Sequence, residues 1–293
     1  MDQADERFVD VDGIRTRYFE KGSGEPLVLF HGGNFGSNDA ADCSLDWGLN
    51  FDGLAQWFHV YAVDKLGQGM TDNPKSDDDY TMAAVVRHAL GLLETLKLGN
   101  VHLVGHSRGA YLVARMALER ADLVKSVIPV DTNTLAPGVG RNDIVFANAP
   151  NPRLGRECQR WVYERYSYGH DHITDDWLDA CVAIGQLPKY KEAVEKMEMQ
   201  GLKVNLFLAQ HARQKEETLG WIRDRGFQRP TLLVWGYNDP TATFDQGLRL
   251  YDLMAGSERR TQMHIINQAG HFSYREHPAE FNEVLRAFIA AQQ

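Results

Sequence analysis

Residues 7 to 20 alternate apolar and polar around Asp12-Gly13, the pattern of a two-stranded β-hairpin. The rhythm then changes. Pro26 to Phe30 reads PLVLF, an unbroken apolar run that ends in His-Gly-Gly. Further runs occur at His59 to Val63, Val101 to Val104, Val124 to Val130, Thr231 to Trp235 and His264 to Ile266. Runs without alternation predict strands buried on both faces of a parallel sheet. Thr81 to Leu98, Tyr111 to Leu118 and Phe281 to Ala291 carry apolar residues at three- and four-residue intervals, the spacing of helices with one buried face. The alternation of strand and helix predicts an α/β fold, a mostly parallel sheet flanked by helices.

From about Leu135 to Leu219 that rhythm breaks. The stretch opens with the turn formers Ala136-Pro137-Gly138 and has a second cluster at Ala149-Pro150-Asn151-Pro152. Helical patterns follow at Glu157 to Tyr168 and Asp175 to Ile184, with no convincing strand. The chain therefore divides into a core of residues 1–134 and 220–293 and a helical insertion at 135–219. Such an insertion is read as a lid over the carboxyl edge of the sheet, where folds of this kind bind ligands; a purely structural annex is the alternative. No internal repeat is present.

Composition narrows the functions. The 293 residues carry a formal net charge of −9, which argues against a nucleic-acid partner, because phosphate binding needs a basic surface. The acidic first ten residues lack the apolar stretch of a secretory signal, and no run reaches the roughly 18 residues of a membrane span. Cys43, Cys158 and Cys181 are odd in number and not at metal-ligand spacing, which suits reduced thiols in a cytoplasm. The expectation is a cytoplasmic protein acting on a small molecule, with no membrane partner, no cofactor and no metal; homo-oligomerisation is left open.

The chemistry is concentrated in Gly105-His106-Ser107-Arg108-Gly109, a G-x-S-x-G between a predicted strand and a predicted helix. In that context the turn needs small flanking residues and lifts the serine hydroxyl above the sheet edge. A serine hydroxyl is a poor nucleophile at neutral pH and needs a base, which in turn needs an orienting acid. Asp239, in Gly236-Tyr237-Asn238-Asp239-Pro240, and His271, in Gln268-Ala269-Gly270-His271-Phe272, each follow a predicted strand and come in the order Ser, acid, His. Alone, Asp239 reads as a turn residue and His271 as a loop histidine; together with Ser107 they read as a triad. The backbone N–H of Arg108 and one from His31-Gly32-Gly33 are the candidate oxyanion donors, Gly33 first with Gly32 and Asn34 as neighbours. His106, Phe272, Arg160 and Trp161 are candidate substrate contacts. His170-Asp171-His172 lacks a clear third ligand and reads as a solvated loop. Asp64-Lys65-Leu66-Gly67-Gln68-Gly69 reads as loop architecture.

With HGG, DKLGQG, GHSRG, WGYNDP and AGHF in this order, nearly the whole chain resembles the α/β-hydrolase superfamily. More narrowly it resembles the meta-cleavage-product hydrolases, through Asn50-Phe51-Asp52-Gly53-Leu54, the segment Tyr166 to Leu178 with Ile173-Thr174-Asp175, and Glu276-His277-Pro278-Ala279-Glu280-Phe281. That resemblance implies cleavage of a carbon–carbon bond in a dienoate formed by aromatic ring opening. The family usually carries a lid arginine for the substrate carboxylate, whereas Ala180-Cys181 stands about there in this chain. Either Arg108 or a lid arginine such as Arg160 supplies the cation, or the substrate is not a dienoate. A carboxylesterase or lactonase is the nearest rival, and a small-molecule receptor with a retained triad the more distant one. Epoxide hydrolases and haloalkane dehalogenases resemble this fold with an aspartate nucleophile, and position 107 is serine.

Overall fold

The computed structural model describes residues 1–292. Eight strands form one sheet: β1 (Glu6–Val11), β2 (Ile14–Gly22), β3 (Pro26–Phe30), β4 (His59–Val63), β5 (Val101–His106), β6 (Val124–Val130), β7 (Thr231–Gly236) and β8 (Thr261–Ile266). Their spatial order is β1-β2-β4-β3-β5-β6-β7-β8, antiparallel at the β1/β2 and β2/β4 pairs and parallel from β4 onward. The predicted hairpin is β1–β2.

Unbroken apolar runs arise here because both faces of the central strands are covered. Val28 and Phe30 of β3 join one core cluster with Leu103 and Leu233, while Leu27 and Leu29 join the opposite cluster with Val104 and Val234. This is the two-residue period of a strand displayed on two buried sides. β8 begins at Thr261, three residues before its apolar run; only its end residues Thr261 and Ile266 are buried, so its first half carries no apolar run.

The helices are α1 (Gly48–Leu54), α2 (Met82–Thr95), α3 (Arg108–Glu119), α4 (Asp143–Phe146), α5 (Arg156–Tyr166), α6 (Asp175–Gly185), α7 (Pro188–Val194), α8 (Ala209–Arg225), α9 (Phe244–Ala255), α10 (Ser273–Glu276) and α11 (Pro278–Ala290). Buried residues of α2, α3 and α9 pack in the first core cluster, and those of α1, α5, α6 and α11 in the second. Helices α4 to α8 are inserted between β6 and β7, with no strand among the described residues there. Helix α8 escaped the apolar pattern because it buries only His211, Thr218 and Ile222. Among the described residues no helix is long and apolar enough to cross a membrane.

Candidate active site

Ser107 occupies the single residue between β5 and α3, with φ +54° and ψ −116°. A non-glycine residue there costs of order 1–3 kcal/mol, which the surrounding packing must offset. The flanking glycines are dictated by contact. A Cβ on Gly105 would lie 2.1 Å from the Gly109 carbonyl oxygen, and one on Gly109 would lie 2.5 Å from that of Phe30. The turn is therefore closed on itself and pressed against the end of β3. The Ser107 N–H donates to the Val130 carbonyl at 2.9 Å, which ties the turn to β6.

The acid and the base arrive on loops after β7 and β8. Asp239 Oδ1 accepts hydrogen bonds from Thr241 N (2.8 Å), Ala242 N (2.9 Å) and Thr241 Oγ1 (3.0 Å), leaving Oδ2 to meet His271 Nδ1 at 2.6 Å. That contact fixes the tautomer: Nδ1 carries the proton, and Nε2 is free to accept one. Burial disfavours the imidazolium, but the Asp239 carboxylate beside it prevails and the His271 pKa is raised. The Tyr166 ring stacks on the imidazole with centroids 4.9 Å apart, and the His271 N–H donates to the Tyr166 carbonyl at 2.8 Å. The lid thus orients the histidine from above. All three residues are buried, Ser107 at 8%, Asp239 at 4% and His271 at 3% exposure, so their mutual electrostatics act at reduced dielectric.

Ser107 and His271 line one cavity together with Gly33, Asn34, Asp42, His106, Arg108, Phe272 and the lid residues Phe146, Val162, Tyr163 and Tyr166. It is small, about 40 Å³. That suits a water or two, whereas sites for organic ligands run to roughly 300–1,000 Å³. A larger groove of about 570 Å³, lined by Arg87, Glu94, Tyr111 and Arg120, contains none of these residues.

The loop after β3 comes close to the serine: a Cβ on Gly32 would lie 3.2 Å from Ser107 Cβ and 2.9 Å from His106 Nδ1. The carbonyl of Gly33 accepts from Lys65 Nζ at 2.9 Å, which fixes that peptide. Arg108 begins α3, so its N–H lies outside the helix's own hydrogen-bond ladder and at its positive end. The Asn34 side chain meets the same arginine, Oδ1 accepting from Arg108 Nη1 at 3.2 Å.

Of the candidate substrate contacts, His106 and Phe272 line the cavity. His106 Nε2 donates to the His271 carbonyl at 2.7 Å, and burial holds its pKa well below 6.5, so it is a neutral brace. Arg160 and Trp161 are corrected. Arg160 Nη2 reaches Asp175 at 3.0 Å on the outer side of the lid, and Trp161 packs under Arg165 at 4.3 Å; neither lines the cavity. His172 is buried and bonds to Ser167 Oγ at 2.8 Å and to Arg275, while His170 is exposed, so that pair does not converge. Asp64 is architecture, accepting from Arg17 Nε (2.6 Å), Ser44 N (2.7 Å) and Met70 N (2.6 Å).

Three acidic groups near the site had no role assigned from the sequence, Glu276 being quoted there only within a family-like motif. Asp131, directly after β6, accepts from Gly236 N at 2.6 Å and from Ser273, joining the two loops that carry Asp239 and His271. Burial and the neighbouring Asp239 raise its pKa. Glu276 accepts from Tyr168 N (3.0 Å), Gly169 N (2.7 Å) and Gly270 N (2.8 Å), tying the lid to the histidine loop. Asp42 stands on the cavity wall, and burial raises its pKa against the pull of Lys65. Its position after a run of small residues gave no signal. The thiols of Cys43 and Cys181 and the Asp46 carboxylate also lie within 4.8 Å of one another, a convergence invisible in their spacing.

A model of the alpha/beta hydrolase family matches residues 27–284. The chain is 27% identical to the 2-hydroxy-6-oxo-6-(2'-aminophenyl)hexa-2,4-dienoic acid hydrolase of Metapseudomonas resinovorans, over 97% of this chain and 91% of that one. It is 25% identical to the 2-hydroxymuconate semialdehyde hydrolase of Pseudomonas sp. (strain CF600), over 95% and 91%. Its fold matches the crystal structure of a meta-cleavage product hydrolase from Pseudomonas fluorescens IP01 with a TM-score of 0.79 and 22% identity, covering 98% of both chains. By fold, by the family match across most of its length and by the buried Asp239–His271 pair, the chain belongs to the alpha/beta hydrolase family and is a serine hydrolase.

Proposed function

We propose that Ser107, His271 and Asp239 are the nucleophile, the general base and the orienting acid of a hydrolase that cleaves a carbon–carbon bond in a 2-hydroxy-6-oxo-dienoate from aromatic ring fission. The observation that carries the catalytic part is the 2.6 Å Asp239–His271 contact, which leaves the imidazole Nε2 free in the cavity that Ser107 lines. The substrate class rests on full-length similarity to dienoate hydrolases.

In this reading the bound dienol first becomes the ketone. Ser107 Oγ then attacks the C6 carbonyl while His271 takes the hydroxyl proton, and the resulting oxyanion is held by the Gly33 and Arg108 N–H groups. Collapse breaks the C5–C6 bond; the departing dienolate takes a proton from His271, and water activated by His271 releases the acyl group from Ser107. Direct attack by activated water gives the same products. Residues 135–219 act as the lid, and the cytoplasm is the compartment in which buried thiols and a small soluble substrate fit.

The test is a panel of a synthetic 2-hydroxy-6-oxo-dienoate, followed by loss of its dienolate absorbance, and 4-nitrophenyl esters. Dienoate cleavage that Ser107→Ala lowers by several orders of magnitude supports the reading. Efficient ester turnover without dienoate cleavage replaces it with a carboxylesterase or lactonase. Binding without turnover would leave a receptor.

A further inference from the structure

Among the described residues Arg108 makes no close ion pair, and the carboxyl of Asp42 acts on it only at longer range. Its guanidinium lines the cavity beside Ser107, donates from Nη1 to Asn34 Oδ1 at 3.2 Å, and has its Nε buried without an acceptor. Other enclosed arginines in this chain have stronger partners, although Arg17 Nη2 is likewise unbonded. Arg17 meets Asp64 at 2.6 Å, Arg115 meets Glu119 at 2.7 Å, and Arg275 has the carbonyls of Leu45, Asp46 and His172. A neighbouring side chain is also short of partners: both ring nitrogens of His211 are buried and unbonded, and both His211 and Arg108 lie against Phe207, at 6.2 and 5.5 Å.

An enclosed charge with one neutral acceptor is costly, because the desolvation it suffers is not returned by a partner. Desolvation also pulls the Arg108 pKa down. The charges around the cavity leave room for an anion. Asp42 is the carboxyl that acts on both Lys65 and Arg108, Asp46 acts on Lys65 as well, and Asp239 is already engaged with His271. The fork of a guanidinium matches a planar carboxylate, and the positive end of α3 adds to its pull.

We propose that Arg108 is the specificity residue of this site, binding the carboxylate of an anionic acyl substrate while the carbonyl to be attacked lies at Ser107. Asn34 is its positioning residue, holding Nη1 so that the remaining N–H groups face the ligand. The proposal rests on Ser107 being the nucleophile but not on the bond being carbon–carbon.

The experiment compares the 4-nitrophenyl monoesters of succinate and glutarate with the same esters capped as methyl diesters, using the intact chain. Wild type should prefer the free acids. Arg108→Met should lower the acid-to-diester ratio of kcat/KM by about 30-fold, chiefly through KM, as expected for losing one charged hydrogen-bonded contact. Arg108→Lys should restore part of that ratio. Parallel loss on acid and diester would overturn the proposal, since it would place the side chain in the geometry of the turn, and so would an unchanged ratio or a wild-type preference for the diesters. Failure of the nucleophile reading is separately visible, as Ser107→Ala retaining ester turnover. Thermal melts of each variant confirm that the ratio is read on folded protein.

Discussion

Replacing Asp239 by asparagine changes one atom and should disable the histidine. In the native site Oδ1 receives three donors, two of them backbone N–H groups at 2.8 and 2.9 Å, while Oδ2 receives only His271 Nδ1. The asparagine amide can face either way. With its oxygen at the Oδ1 position, all three donors stay satisfied and its NH2 points at the imidazole. With its NH2 there instead, two buried backbone N–H groups lose their acceptor, at about 1–3 kcal/mol each. The first orientation wins by about 2–6 kcal/mol. It presents a donor to Nδ1, so Nδ1 must become the acceptor and the proton moves to Nε2. A protonated Nε2 cannot take the proton of Ser107. Loss of the correct tautomer in a serine protease triad costs about 10⁴ in kcat, the handling of the same geometry in another fold, which corresponds to about 5.5 kcal/mol of barrier. The assay is steady-state turnover of 4-nitrophenyl butyrate by Asp239→Asn, with a thermal melt to show that the fold is kept. Activity within about tenfold of wild type would refute the tautomer argument, because the network at Oδ1 would then not be choosing the amide orientation.

Other consequences follow from the same geometry. Gly109→Ala should lose at least about 2 kcal/mol in urea unfolding, since its Cβ would meet the backbone oxygens of Phe30 and His31 at 2.5 and 2.6 Å; an unchanged midpoint refutes the close contact. Because Asp239 raises the His271 pKa and the base must be neutral, kcat/KM should fall as pH drops through a value above 6.5; an acid limb below 6.5 contradicts it. The same raised pKa stabilises the fold below the unfolded histidine value of 6.5, and this contribution should fade as pH rises through the folded value, readable as a pH-dependent melting difference between wild type and His271→Gln. Glu276→Ala should cost about 1–3 kcal/mol and speed amide exchange at Tyr168 and Gly169, whose N–H groups it accepts; exchange that matches wild type would show that the carboxylate does not anchor the lid.

The legible parts of this protein are those where local sequence meets a contact that allows one answer. The strands declared themselves because apolar runs at β3, β5 and β7 are buried on both faces, and Gly105-x-Ser107-x-Gly109 because a Cβ on either glycine would strike backbone. Asp239 and His271 became readable through order and through their positions after strands, neither being informative alone. The family-like motifs are joints in the fold as much as markers of chemistry: Asn50 of α1 donates to the Tyr274 carbonyl at 2.8 Å and to Asn282 Oδ1 at 3.1 Å, and Glu276 closes the lid joint. What stayed hidden depends on separations in space. Asp42, Asp46 and Asp131 become functional neighbours only when the loops after β3 and β6 are folded over the sheet edge. Arg160 looked as good a cation as Arg108 in the sequence, because sequence alone does not show which way either side chain points. Direction separates them: Arg160 turns outward to an exposed aspartate, whereas Arg108, fixed by being the first residue after the strained serine, has nowhere to turn but the cavity and Phe207. Position along the chain selects the residue, and the turn that raises the nucleophile also aims the charge beside it.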